Sequence, residues 1–179
     1  MATYNAPSVP VFNAGYGPEA ADFDTWWYQT ASFLQNRVVF RASQTTTATS
    51  LPDDGDATTI EFDTVAEDPY SGWDGSTFLW TPPTGYSGWY QATLLIRTAD
   101  VAANVDLRPL LTGTYSYQLS TVMGATFGAG VSGTYVVYLV GGQDTIGGAC
   151  QLLNSSANVD TSTTSGQQST FELVFISQS

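Results

Sequence analysis

Histidine and lysine are absent from all 179 residues, cysteine occurs once, and the basic side chains amount to four arginines. Each absence removes a class of chemistry. Without histidine the chain lacks the commonest general base near neutral pH and the commonest transition-metal ligand. No Ser-His pair can be assembled, and no Gly-rich phosphate loop carrying a lysine exists. The single Cys150 cannot form an intrachain disulfide and reads as a small buried residue in a strand. Four arginines against 16 acidic residues, a formal net charge of -12, leave too little positive charge to displace counterions from a phosphate backbone, so nucleic acid is not expected as a partner. No run of about 18 apolar residues occurs, and the opening Met1-Ala2-Thr3-Tyr4 is not a basic stretch leading into an apolar one. Neither membrane insertion nor an export signal is expected.

What is present is apolar and aromatic bulk. Hydrophobic residues make up 42% and aromatics 13%, including 5 Trp and 10 Tyr, enough to fill an interior without disulfides or metals. The length suits one domain and a sizeable core. Charged residues contribute only 11%, so the surface must be largely Ser, Thr, Asn, Gln and Gly.

The N-terminal 17 residues, punctuated by Pro7, Pro10, Gly15 and Gly17, read as an extended arm, and Val9, Val11, Phe12 and Tyr16 suggest that it lies along another surface. Residues 18–35 read as a helix. Pro18 suits its first position, Glu19, Asp22 and Asp24 sit near its positive end, and Asn36-Arg37 follow it. Phe23, Trp27, Thr30 and Leu34 recur at helical spacing, with Trp26, Ala31 and Phe33 widening the apolar stripe. The stripe packs either on its own domain or in a bundle of symmetry-related copies. Arm and helix together, residues 1–37, are taken as a docking unit with Phe23, Trp26, Trp27, Phe33 and Leu34 as its contact residues.

From Val38 the pattern changes to short runs rich in Val, Ile, Thr, Tyr, Phe and Trp, separated by turn clusters such as Pro52-Asp53-Asp54-Gly55, Pro82-Pro83-Thr84-Gly85 and Gly141-Gly142. Strands are predicted near 38–48, 58–64, 76–80, 87–98, 104–112, 115–127, 132–140, 145–153 and 169–177, with 154–168 a long exposed loop. Many short strands and no second helix predict an all-β, antiparallel jelly-roll sandwich over residues 38–179.

Few residues offer chemistry. Asp53, Asp54 and Asp56 are weak candidates for calcium ligands, against a solvated turn in which Asp caps backbone groups. Asp68-Pro69-Tyr70-Ser71-Gly72-Trp73-Asp74 reads as a turn whose aromatics pack on the sandwich rim. Glu61 and Asp63, two apart on a strand, would share a face as a glycosidase pair does, yet two acids turned to solvent with Ile60 and Phe62 inward explain the same letters. No catalytic residue and no cofactor is assigned, and an enzyme is not expected. Tyr115, Tyr117, Tyr135 and Tyr138 lie on alternating strands where some must point outward, and they are the candidates for a self-association interface, with core packing as the rival. Exposed Trp73, Trp80 or Trp89 would instead indicate a carbohydrate-binding module.

The order of motifs then becomes specific. Phe40, Ile60-Glu61-Phe62-Asp63, Tyr70 to Trp73-Asp74, Phe78 to Pro82, Gly88-Trp89-Tyr90 leading into Gln91-Ala92-Thr93-Leu94-Leu95-Ile96, Val136 to Gly142-Gln143-Asp144, and Ser169-Thr170-Phe171 together resemble the globular head of complement subcomponent q. That head belongs to the tumour-necrosis-factor-like jelly rolls. The likeness spans roughly 38–177, diverges over 100–131 and includes no collagen stalk. An arm and helix ahead of Phe40-Arg41-Ala42 is similar to the small accessory virion proteins of tailed bacteriophages. This resemblance implies a non-enzymatic homotrimer located in the virion, assembled in the host cytoplasm and released by lysis. Its partners would be other copies of itself and other tail or capsid proteins, with a host surface glycan or protein as a further candidate. The implied role is a minor tail protein contributing to host contact, or alternatively a decoration protein of the capsid.

Overall fold

The structure is a computed structural model that describes residues 39–99, 105–119, 122–125, 130–153 and 158–178. The docking arm and the helix expected over 18–35, with Phe23, Trp26, Trp27, Phe33 and Leu34, lie outside the described residues.

The described residues form an all-β sandwich. One sheet contains β1 (Val39–Ser43), β4 (Thr64–Glu67), β7 (Gly88–Arg97), β11 (Gly130–Leu139) and β14 (Thr170–Ser177). These are arranged in the order β11-β7-β14-β1-β4, and every pairing in this sheet is antiparallel. The second sheet runs β10 (Val122–Ala125), β8 (Val105–Gly113), β12 (Ile146–Leu153), β6 (Leu79–Trp80), β5 (Trp73–Asp74), with β3 (Ala57–Thr59) added to β12 and β9 (Tyr117–Gln118) to β8. A small ladder joins β2 (Ser50–Leu51) to β13 (Val159–Asp160). Strands distant in sequence sit side by side, β1 next to β14 and β3 next to β12, as a jelly roll requires.

Alternation explains the layers. In β7, Tyr90, Ala92, Leu94 and Ile96 are fully buried while Trp89 and Gln91 face outward. In β14, Phe171, Leu173 and Phe175 point in, and in β1 so do Phe40 and Ala42. The core is an aromatic chain between the sheets. Phe40 stacks on Trp73 at 5.0 Å and meets Phe171 edge-on at 5.9 Å, Phe171 stacks on Phe62 at 5.9 Å, and Tyr90 bridges Trp80 at 5.7 Å to Phe175 at 5.0 Å. Burying each such side chain stabilises the fold by about 1.5–3 kcal/mol. Gly148 of β12 is needed for closeness, because a Cβ there would lie 2.6 Å from Leu94 and 3.0 Å from Phe62.

Four expectations require correction. The first strand ends at Ser43, because Thr45, Thr46 and Thr47 turn their N–H groups toward Asp63 instead of a neighbouring strand. The strand expected over 58–64 is interrupted. Ile60 and Phe62 are buried as anticipated, but residues 60–63 cross between sheets, from β3 in one to β4 in the other. The single strand expected over 115–127 is two short ones, β9 and β10. Finally, 154–168 is not simply an exposed loop. It contains β13, and Thr161 and Ser162 are buried, with Ser162 N donating to Arg97 O at 2.8 Å.

Candidate functional site

The acidic candidates for metal or acid–base chemistry are dispersed. Asp54 accepts a hydrogen bond from the Asp56 N–H at 2.9 Å, the turn-capping arrangement, and Gln151 donates from its side chain to Gly55 O beside it. Among the described residues no group of three or more His, Cys, Asp or Glu gathers where it could hold a metal ion, so Asp53, Asp54 and Asp56 do not form a ligand set.

Asp63 is engaged by the chain itself. Its carboxylate accepts from the N–H groups of Thr45, Thr46 and Thr47 at 2.8, 2.7 and 2.7 Å and from the hydroxyls of Thr45 and Thr46 at 2.8 and 2.6 Å. Partial burial pushes its acidity toward higher pKa. The Thr46 hydroxyl and the three N–H donors outweigh that and hold the carboxyl well below the usual range. The Thr64 hydroxyl adds a further donor at 3.1 Å, so the carboxylate serves as a clasp that holds residues 45–47 against residue 63. Asp68 does similar work in the 68–74 turn, accepting from Gly72 N, Trp73 N and Trp80 Nε1 at 3.1, 2.9 and 3.1 Å. Cys150 is fully buried in β12, and burial pushes its thiol up to about 12.

The tryptophans separate. Trp80 is fully buried, and Trp73 is half-buried against Phe40 and the core. These two rings therefore cannot provide a flat platform for a sugar. Trp89 alone of the three projects outward, 43% exposed, with Tyr138 edge-on at 5.5 Å.

The surface with most to offer is the outer face of the five-stranded sheet, whose rows can be read from the register. Val39, Val174, Gln91 and Val136 lie side by side across β1, β14, β7 and β11. Ser177, Trp89 and Tyr138 form the next row, where a register shift brings Ile176 out. In this half of the face Trp89, Val136 and Ile176 are all more than 40% exposed. In the other half, Arg41, Glu172, Thr93 and Thr134 share a row, followed by Ser43, Thr170, Leu95 and Ser132. Arg41 donates to Glu172 at 3.0 Å and to Glu67 at 3.3 Å, and Thr93 and Thr134 pair through their hydroxyls at 3.2 Å. One face is thus divided into an apolar end and a polar end.

Around the corner, at the β11 edge, the tyrosines meet. Tyr117 stacks on Tyr135 at 4.6 Å and Tyr115 lies 6.1 Å from Tyr117, with Tyr115 and Tyr135 exposed. Three of the four sequence candidates therefore form one cluster linking the two sheets, while Tyr138 belongs to the apolar end of the face. Sequence reasoning did not single out Val39, Val136, Val174 or Ile176 for this surface. The signal was present as outward positions that become apolar toward one end of each strand.

No protein-family profile matches the chain, and no curated protein sequence matches it either. Solved structures do. The globular domain of zebrafish complement 1qA is similar with a TM-score of 0.53 and 13% identity, over 79% of this chain and 98% of its own. Murine APRIL, determined at pH 8.5, has a TM-score of 0.53 and 15% identity over 79% of this chain and 100% of its own. The phage PRD1 vertex protein P5 has a TM-score of 0.52 and 15% identity over 78% of this chain and 96% of its own. These are tumour-necrosis-factor-like jelly rolls, and the described residues share that fold.

Proposed function

We propose that this chain is a structural protein of a bacteriophage virion that acts as a homotrimer and catalyses no reaction. The observation that carries the reading is the apolar end of the outer sheet face. Trp89, Val136 and Ile176 are large, exposed and contiguous with Tyr138, Val174 and Val39, a surface whose burial against a second copy removes apolar area from water without burying charge. The tyrosine cluster at the β11 edge is a second apolar patch, differing from the first and turned away from it. Two different patches meeting across copies make a heterologous contact, which gives a ring when the rotation between copies closes and a filament when it does not. The resemblance to tumour-necrosis-factor-like jelly rolls supports three as the number of copies.

A virion location is supported by the fold shared with a phage vertex protein and by the likeness of the arm, helix and Phe40-Arg41-Ala42 opening to accessory virion proteins. In this reading residues 1–37 fix the trimer to the particle through Phe23, Trp26, Trp27, Phe33 and Leu34, and residues 38–179 project from it. Placement on the tail makes it a minor tail protein contributing to contact with a host surface glycan or protein. The vertex-protein likeness favours a second placement, as a decoration protein on the head.

Light scattering on the full chain tests the assembly. A mass three times the 19.1 kDa subunit is expected at micromolar concentration, and a single-subunit mass overturns it. Electron microscopy of particles labelled with an antibody to the chain distinguishes tail from head, and unlabelled particles refute the virion reading.

A further inference from the structure

The chain contains two Asp-Gly bonds, Asp54-Gly55 and Asp74-Gly75, and no Asn-Gly bond. Such a bond is chemically fragile. Glycine has no side chain to shield its N–H, so that nitrogen can reach the γ-carbon of the aspartate before it. Both aspartates are exposed and bend forward in the same way: Asp54 accepts from Asp56 N at 2.9 Å and Asp74 from Ser76 N at 2.8 Å, each bond spanning the intervening glycine. They differ in what else holds the carboxylate. Asp74 also accepts from the Ser76 hydroxyl at 2.7 Å and from the Thr77 hydroxyl at 3.0 Å. The Ser76 hydroxyl, the Ser76 N–H and the Thr77 hydroxyl keep its carboxyl below the usual range. Beyond Asp54-Gly55 the corresponding positions are Asp56 and Ala57, neither of which has a hydroxyl, and among the described residues the Asp56 N–H is the one donor to Asp54.

We propose that Asp54-Gly55 is a site of spontaneous isomerisation to isoaspartate, whereas the hydroxyls of Ser76 and Thr77 protect Asp74-Gly75. In the first step Gly55 N bonds to Asp54 Cγ, one carboxyl oxygen leaves as water with the nitrogen's proton and the carboxyl's own, and a cyclic imide forms. Water then opens the imide. Opening at the side-chain carbonyl restores aspartate, whereas opening at the main-chain carbonyl breaks the original bond between Asp54 C and Gly55 N and leaves the chain running through Cγ. No oxidant enters, and the mass is unchanged. Closing the imide consumes the carboxylate and forfeits every hydrogen bond it accepts, one at Asp54 and three at Asp74. The isomerised chain is one methylene longer just before Gly55. That residue has a φ of 80°, faces Leu153 and accepts from the Gln151 side chain. Two residues on, Ala57 begins β3 and pairs with Gln151 of β12, so ageing at this bond loosens the turn and the short strand it leads into.

Peptide mapping of the folded full chain after storage at neutral pH and body temperature tests this, with electron-based fragmentation to separate isoaspartate from aspartate. Isoaspartate is expected at residue 54, and at residue 74 at a rate lower by about tenfold or more, because hydrogen bonds to a charged group must be given up there. Ser76→Ala combined with Thr77→Ala is expected to bring residue 74 to within about threefold of residue 54. In denaturant, where neither carboxylate is held, the two sites of the original chain are expected to age at comparable rates. Asp54→Glu keeps the charge and lacks the five-membered closure. It is expected to stay unmodified at 54 on storage, and its amides over 57–59 to keep the exchange protection that the aged original chain loses. Residue 74 ageing as fast as residue 54 in the folded chain overturns the proposal, as does a residue 54 that stays intact in the folded chain while reacting in denaturant. A residue 74 that remains slow after both hydroxyls are removed refutes their protective role.

Discussion

Asp63 concentrates three backbone and three hydroxyl donors on one carboxylate, and the consequence is a pH dependence of known sign. Its pKa is lowered in the folded chain, so its stabilisation is fully present above the ordinary carboxylate range and is lost as pH falls through that range and below. Asp63→Asn keeps the shape and removes the charge. At neutral pH the variant is expected to be less stable by about 1–2 kcal/mol, a value discounted for exposure, with the gap closing as pH drops below about 4. Urea unfolding at several pH values checks this, and a gap constant down to pH 2 excludes the mechanism. Cys150 gives a second prediction at this scale. With its thiol pushed up to about 12 by burial, a thiol reagent at pH 8 is expected to modify the folded chain at less than about one-hundredth of the rate seen in denaturant.

At the scale of elements, β12 and β7 must approach closely because Gly148 has no side chain. Gly148→Val drives a branched group into Leu94 and Phe62 and is expected to cost about 1–3 kcal/mol, read as a lowered denaturation midpoint with an unchanged slope. Phe40→Ala removes the ring joining Trp73, Trp80 and Phe171 and is expected to cost about 3–5 kcal/mol. The alternation that placed Phe40, Tyr90, Leu94 and Phe171 inward was legible in the sequence, because a period of two is a local property of a strand. The break between β3 and β4 was not legible. Ile60 and Phe62 continue the alternation through residues 60–63, and only the donors at Thr45–Thr47 and the crossing between sheets show that no ladder forms there.

For the whole molecule, the proposed association rests on the divided outer face. Trp89→Glu combined with Val136→Glu places two charges in the apolar half, and the expected outcome is a folded chain of single-subunit mass. Near-ultraviolet circular dichroism checks that the core is intact, and light scattering reads the mass. Trimers that survive the double substitution exclude this half of the face as the contact. Tyr135→Asp tests the adjoining edge in the same way, and if both patches take part it is expected to weaken assembly at least tenfold in the midpoint concentration.

The chain by itself determined its class. Composition without histidine or lysine limited the chemistry, alternation specified strands with one buried face, and the order of Gly, Phe and Tyr motifs resembled the jelly roll that the structure displays. What only the tertiary structure decided is where the surface residues meet. Outward positions become apolar toward the start of β1 and β7 and toward the end of β11 and β14. Antiparallel pairing brings those ends together, so four unremarked local gradients become one apolar half-face, with Val39, Val174, Trp89 and Val136 as neighbours. The physical reason is that burial within a strand depends on residues one and two positions away, whereas the composition of a face depends on register between strands that lie more than a hundred residues apart, as β1 and β14 do.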